Sequence, residues 1–368
     1  MRNRILLTLI LSIGLPLATA SQQAADQPAT NLKLKVNEVV LPVTVRDKHG
    51  ALVTSLQAGD FTLTEDGRPQ KIKGFTRETN LPYKLGLLVD TSRSLSGAME
   101  SERKAAGKFV DTMLPEKANP TPDQMFLIHF DRQVELLEDF TTARDKLHHE
   151  LEEMGPSSHS EGSQGPETSR DDQDRSSRGG HNGTQLYDAI FLASDELMRS
   201  QTGRKALVVF SDGVDRGSKD TLNDAIDAAD RANVVIYTIY FKGEQESNGG
   251  GFSNGGGRHG GGWPGGGGGY PGGGGGRRGG GAEVAVDGKK IMTQIASRTG
   301  GRFFEAKKKD NLDEIYTQIA EELRGQYLLT YTPDVVDKEG GYHKVALKAN
   351  KDDLVVVTRE GYFASLDK

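Results

Sequence analysis

The sequence predicts an α/β protein built on a doubly wound, mostly parallel sheet, joined to a small β domain drawn from both chain ends. Between Tyr83 and Tyr327, apolar runs of strand length alternate with amphipathic helical stretches, the pattern of a mostly parallel sheet. Before and after that stretch the apolar residues recur at every second position, as in half-buried strands. Glycine contributes 47 of the 368 residues, but 22 of them lie between Gly249 and Gly281, so the remainder has ordinary globular composition.

Taken in order, the first twenty residues read as a cleavable signal peptide, with Arg2 and Arg4 ahead of the apolar run Ile5 to Leu17 and then Ala18-Thr19-Ala20. That run is shorter than the roughly 20 apolar residues that span a bilayer, and no later one is longer. The expected location is outside the cytoplasm: periplasmic, secreted or surface-associated, with no transmembrane segment after signal removal. Residues 21–31 read as a linker. Within a β-strand region at 32–80, Leu32, Leu34, Val36, Val39, Leu41, Val43 and Val45 alternate until Asp47-Lys48-His49-Gly50, giving strand, turn, strand. Phe61 and Leu63 lead through Glu65-Asp66-Gly67 to Ile72 and Phe75, a second pair with an Asp-Gly hairpin turn.

The central unit spans residues 81–326. Its strands are predicted at Leu85 to Val89, Met125 to Phe130, Ala206 to Phe210 and Val234 to Phe241. One helix follows Thr184 with Leu186, Ile190, Ala193 and Leu197 on one face, and another is capped by Asn311 with Ile315, Ile319 and Leu323 as its buried stripe. Two segments, Gly155 to Gly183 and Asn248 to Gly281, are nearly free of aliphatic residues and read as disordered insertions. In the C-terminal region, 327–368, strand alternation returns at Tyr327 to Thr332, Lys344 to Ala349 and Leu354 to Thr358. Four strands before the central unit and three after it make the seven of a minimal immunoglobulin-like sandwich, which predicts that the two ends pair. The alternative is a separate disordered tail.

Composition excludes several functions. The formal charge is −6, with 46 basic and 52 acidic residues, which disfavours nucleic acid as a partner. The absence of cysteine excludes thiolate metal sites, disulfides and thiol catalysis together. Neither insertion contains the Gly-Lys-Ser/Thr of a phosphate-cradling loop.

One constellation carries chemistry. The strand Leu87-Leu88-Val89 ends in Asp90-Thr91-Ser92-Arg93-Ser94, which presents three oxygen side chains at alternate positions. Gly183-Thr184 opens a helix, and Ser211-Asp212-Gly213 follows another strand. Loops at the carboxyl edge of an open α/β sheet converge at its switch point, so Asp90, Ser92, Ser94, Thr184 and Asp212 can form one all-oxygen cluster. Such a set suits a hard divalent cation, magnesium foremost, with manganese or calcium as alternatives. Singly, each residue has a simpler role as a strand end, helix cap or turn former.

In this order the five residues resemble the metal-ion-dependent adhesion site of the von Willebrand factor type A domain. The likeness covers roughly Tyr83 to Tyr327 and extends to Gly183-Thr184-Gln185-Leu186-Tyr187-Asp188-Ala189-Ile190. The ends, with Asp60-Phe61, Glu65-Asp66-Gly67, Gln326-Tyr327 and Gly361-Tyr362, resemble the exported VWFA-related domain family common in Acidobacteria. The resemblance implies that Ser92, Ser94 and Thr184 touch the ion, that Asp90 and Asp212 act largely through bound waters, and that an acidic side chain of a protein partner completes the shell. It implies a binding module rather than an enzyme. A metal-dependent hydrolase is the rival reading, with His181 as the nearest candidate base and His148-His149-Glu150 a poorer one. A metal-independent scaffold that uses the glycine-rich segment as a spacer is the third.

Overall fold

Alternating burial starts the described chain: in β1 (Val39–Asp47) the side chains of Leu41, Val43 and Val45 are buried in the β-domain core. Three short strands follow, β2 (Phe61–Glu65), β3 (Arg68–Gln70) and β4 (Ile72–Thr76). The computed structural model describes residues 38–77, 81–115, 122–155, 183–242, 287–307, 311–335, 337 and 339–364. The signal peptide, the linker, Leu32 to Val36, His181 and nearly all of both glycine-rich insertions lie outside the described residues. Contacts divide the chain into Met1–Val36 and Asn37–Lys368, and every described residue belongs to the second part.

Six strands form the central sheet: β5 (Tyr83–Asp90), β6 (Gln124–Phe130), β7 (Val134–Thr141), β8 (Arg204–Ser211), β9 (Val235–Phe241) and β10 (Phe303–Ala306). Their spatial order is β10-β9-β8-β5-β6-β7, with every pair parallel except β6 and β7. The helices are α1 (Met99–Met113), α2 (Arg144–Glu153), α3 (Leu186–Phe191), α4 (Leu222–Ala232), α5 (Gly288–Thr299) and α6 (Leu312–Gly325). Helices cover both faces of the sheet, which is why its inner strands are apolar throughout rather than alternating. Tyr83, Leu85, Leu87 and Val89 pack with residues of α1, α2 and α6, while Leu88 packs with α3, α4 and α5 on the opposite face. Gly86 shares that second face, and a Cβ there would stand 2.3 Å from the Phe126 ring and 2.4 Å from Leu207. Its missing side chain lets Phe126 and Leu207 meet across β5.

One buried polar pair interrupts the first face. Glu102 of α1, fully buried, accepts the hydroxyl hydrogen of Tyr316 from α6, and its second oxygen has no hydrogen-bond partner. Burial raises its pKa to about 8, against which the Tyr316 hydrogen bond works only partly, so the carboxyl is held protonated at neutral pH.

The remaining strands are β11 (Tyr327–Tyr331), β12 (Tyr342–Ala349), β13 (Leu354–Val357) and β14 (Gly361–Phe363). They interleave with the first four in two four-stranded sheets, of order β13-β1-β11-β4 and β14-β12-β2-β3. Val43 pairs with Tyr327, Thr44 with Val357 and Leu63 with Leu347, all antiparallel. Between the two sheets lie Leu41, Val43, Leu63, Leu329, Tyr331 and their neighbours. The ends thus contribute eight strands among the described residues, not the seven counted from sequence. Arg46 of β1 and Arg302 both pair with the buried Glu322 of α6, tying these sheets to the central unit.

Several local expectations are corrected. The turn at Asp47 to Gly50 forms, with Gly50 at φ +85°, but it leads to a single bridge from Arg46 to Leu52 rather than to a strand. The arm after Asp66-Gly67 breaks at Lys71 into two strands on different sheets, β3 beside β2 and β4 beside β11. Pro69 explains the short first piece, since proline is confined to sheet edges and β3 is an edge. The helix after Thr184 passes into a π-helical stretch, Leu192–Met198. Its wider turn moves the buried stripe, so that Ala193, Ser194 and Met198 are buried and Leu197 is only partly so. Asn311 precedes α6 with φ −98° and ψ 4°, makes no side-chain cap, and leaves its Oδ1 without a hydrogen-bond partner.

Candidate functional site

The order β10-β9-β8-β5-β6-β7 reverses direction between β5 and β8, so their carboxyl ends flank a crevice. Asp90 ends β5 and Ser211 ends β8, in adjacent parallel strands where Val89 is paired with Phe210. Asp90 is fully buried, and its carboxylate is held at both oxygens: Ser211 Oγ donates to Oδ2 at 2.7 Å and the Ser92 amide donates to Oδ1 at 2.9 Å. Burial pushes its pKa up to about 7 and the nearby Asp212 carboxylate adds to that, while hydroxyl and amide hydrogen bonds from Ser92 and Ser211 oppose it.

From Asp90 a chain of oxygens runs outward. Ser92 Oγ lies 3.0 Å from Ser94 Oγ, and Ser94 Oγ donates to Asp212 Oδ2 at 2.8 Å. Asp212 Oδ1 accepts the Val214 amide at 3.0 Å, which fixes the turn after β8. Asp90, Ser92, Ser94 and Asp212 are therefore linked by direct hydrogen bonds. Thr184 stands at the entry to α3, where its carbonyl accepts the Arg216 amide at 3.1 Å; the contact that joins it to the Asp212 loop is a backbone one. A Cβ on Gly183 would lie 2.6 Å from the Arg216 carbonyl oxygen, so the glycine permits that approach. The donor set suits a hard cation. Two carboxylates and several hydroxyls converge, and the buried member is offset by hydroxyl and amide hydrogen bonds.

Neighbouring residues brace the loops. Asp215 accepts the amide of Tyr187 at 3.1 Å, and Asp188 accepts the amides of Lys219 and Asp220 at 2.9 Å each, lacing the start of α3 to the segment after β8. Ser211 was legible only as part of the Ser-Asp-Gly turn, and nothing in the sequence marked it as the partner of Asp90. Thr91, His129 and Glu135 form a second line, with Thr91 Oγ1 3.3 Å from His129 Nδ1 and His129 Nε2 3.0 Å from Glu135 Oε2. No sequence motif marks this line, because its residues come from the end of β5, from β6 and from β7. Thr91 is fully buried and out of reach of a substrate, so the line joins strands rather than supplying a nucleophile.

The Asp212 turn is also clamped from the side. Gly213 adopts φ +72°, and a Cβ on Gly288, the first residue of α5, would sit 1.9 Å from the Asp212 carbonyl oxygen. Gly288→Ala is expected to destabilise the protein by about 1–3 kcal/mol through this crowding, although alanine is the better helix former. Denaturant unfolding checks the sign: a variant more stable than the parent would mean that the two backbones are not in fixed contact.

No curated protein sequence matches the chain. Among solved structures, proximal thread matrix protein 1 from the mussel byssus is 13% identical with a TM-score of 0.44, and the match covers 71% of this chain and 51% of that one. This chain therefore spans about half the length of that protein. The vWF domain of the pili tip protein Mfa5 from Porphyromonas gingivalis is 13% identical with a TM-score of 0.43, covering 66% of this chain and 95% of that one. The protein BatB from Bacteroides thetaiotaomicron is 14% identical with a TM-score of 0.39, covering 66% and 99%. Residues 85–214, which include Asp90, Ser92, Ser94, Thr184 and Asp212, match the family model of the von Willebrand factor type A domain. The segment from Leu85 in β5 to the turn after Asp212 thus carries a match to the von Willebrand factor type A domain.

Proposed function

We propose that the protein is an exported, metal-dependent binding module, in which Asp90, Ser92, Ser94, Thr184 and Asp212 hold a divalent cation that captures an acidic side chain of a protein partner. The observation that carries this reading is the hydrogen-bonded chain from buried Asp90 through the Ser92 amide and the Ser92 and Ser94 hydroxyls to Asp212 at the sheet's switch point. Domains of this family commonly mediate protein–protein binding. Magnesium is the favoured ion because every donor is oxygen. When bound, the cation supplies a positive centre. The residues supply the selectivity: neutral hydroxyls of Ser92, Ser94 and Thr184 leave that charge underneutralised, and the two aspartates anchor the loops that carry them. Export rests on the Arg2 to Ala20 pattern, and no helix among the described residues is long and apolar enough to cross a membrane. The likeness of the chain ends to exported VWFA-related proteins points the same way.

Capture from envelope extract tests the reading. Partner recovery is expected in magnesium, and chelator, Asp212→Ala and Thr184→Ala should each reduce it at least tenfold while leaving circular dichroism unchanged. Calorimetry with magnesium alone should show one binding event lost in Asp212→Ala. Full partner recovery in chelator would support a metal-independent scaffold instead, and metal-dependent turnover of a phosphoester would support the hydrolase.

A further inference from the structure

The β domain contains a second cluster of donors, assembled from segments nearly three hundred residues apart. Glu65 ends β2, Asp66 occupies the hairpin turn after it, and His343 lies on β12 beside both. His343 Nδ1 is 2.9 Å from Asp66 Oδ2 and 3.9 Å from Glu65 Oε1, and one donor atom from each of the three residues lies within 4.8 Å of the others. Donor separations around a four- to six-coordinate ion at ~2.1 Å are about 3.0–3.4 Å, so small side-chain movements would close the set.

Two features set this cluster apart from ordinary surface charge. The first is Glu65 itself, fully buried. Its Oε2 accepts the hydroxyls of Tyr331 at 2.6 Å and Tyr362 at 3.1 Å, which aims Oε1 at His343, and that oxygen has no hydrogen-bond partner. A buried carboxylate oxygen without a donor is costly unless something positive stands before it. The second is the outer side of the histidine. Asp337 Oδ2 lies 3.1 Å from His343 Nε2 and is itself fixed by the Gly341 amide at 2.6 Å. Each ring nitrogen faces a carboxylate, Nδ1 donating to Asp66 and Nε2 to Asp337, so an ion would take the place of the Nδ1 hydrogen while Asp337 keeps the ring oriented from behind, the arrangement found at metal-binding histidines. Tyr362 stacks on the ring with centroids 5.5 Å apart, which holds its plane.

We propose that Glu65, Asp66 and His343 form a second divalent-cation site, selective for zinc over magnesium, with Asp337 as the positioning residue of its histidine. An imidazole nitrogen with two carboxylates suits zinc, whereas magnesium prefers an all-oxygen shell. Asp66, the most exposed of the three, leaves the side open to water. The ion would join the β2 turn to β12, and so fasten an N-terminal hairpin to a C-terminal strand.

The test uses the full chain carrying Asp212→Ala, so that the oxygen cluster on the central sheet contributes nothing and the outcome is independent of the function proposed above. Calorimetry with zinc chloride should show one equivalent bound, magnesium should bind at least tenfold more weakly, and zinc should raise the thermal unfolding midpoint. Asp66→Asn and His343→Gln, each added to that chain, should weaken zinc binding at least tenfold and abolish the shift in midpoint. Asp66→Asn guards against misfolding, because Asp66 has φ +48° and asparagine also accepts that left-handed turn conformation. Asp337→Asn should weaken zinc by about tenfold or more without changing the stoichiometry. The proposal is overturned if the Asp212→Ala chain binds no zinc, if magnesium binds it equally well, or if Asp66→Asn binds zinc as tightly as its parent.

Discussion

Arg359→Ala is expected to cost about 3–6 kcal/mol of stability, the loss of two hydrogen bonds from a buried charged group at roughly 1.5–3 kcal/mol each. Arg359 is buried in the segment before β14, where it donates to Asn233 Oδ1 at 2.6 Å and to the Val40 carbonyl at 2.9 Å. It therefore touches the C-cap of α4 and strand β1 together. Asp230, on the last turn of α4, is buried with neither carboxylate oxygen hydrogen-bonded. Burial raises its pKa to about 7 even though Arg359, and then Arg298, pull it down. Without the guanidinium, that carboxylate has lost its main counter-charge. Urea unfolding at pH 8 measures the loss, and Asp230→Asn added to Arg359→Ala should recover part of it. Additive single effects would show that the two residues do not interact.

Glu102→Gln should change the pH dependence of stability rather than only its level. The folded protein holds a proton on Glu102 up to about pH 8, while the unfolded chain releases it near 4.5. Stability conferred by the protonated carboxyl is complete below pH 4.5 and declines at about 1.4 kcal/mol per pH unit across that window, on the order of 3–5 kcal/mol in all. The glutamine variant keeps an acceptor for Tyr316 but places an amide donor where Glu102 has an unpartnered oxygen, which costs roughly 1 kcal/mol at every pH. The two stability curves should cross near pH 5, with the variant weaker at pH 4 and stronger at pH 8. Parallel curves from denaturant titrations would show that Glu102 is ionised in the fold.

Legibility from sequence followed burial. β5, β6, β8 and β9 are covered by helices on both faces, so their apolar runs are unbroken and each was recognisable alone. The edge strands were not: β7 is half exposed and carries Glu135, Glu138 and Asp139, and β10 has four residues, too few for a periodic signal. The hydrogen-bonded set Asp90, Ser92, Ser94 and Asp212 was readable because these residues sit at strand ends, whose order along the chain fixes their position around a switch point, whereas Thr184 meets the Asp212 loop through its backbone. Which side chains bond within it could not be read, as with Ser211 and Asp90. The Glu65, Asp66 and His343 cluster was invisible for a different reason. The Asp-Gly turn was plain, but no spacing rule connects it to a histidine 277 residues later; only the register of β2 against β12 does so.

The interleaving of strands in the order β13-β1-β11-β4 also dictates a timetable. At translation rates of ~5–20 residues per second, roughly 300 residues separate β1 from β13 and about 15–60 s pass before the last partner exists. The last strand of the central sheet, β10, ends at Ala306, only about 20 residues before β11 begins at Tyr327 as the first neighbour of β1, and closing so long a loop adds only slowly to the entropic cost. Leu41, Val43 and Val45 must meanwhile wait unsheltered. A chain ending just short of Tyr327 would therefore have every element of the α/β body and a sticky N-terminal ribbon, the species on which a holding chaperone or an export apparatus would act.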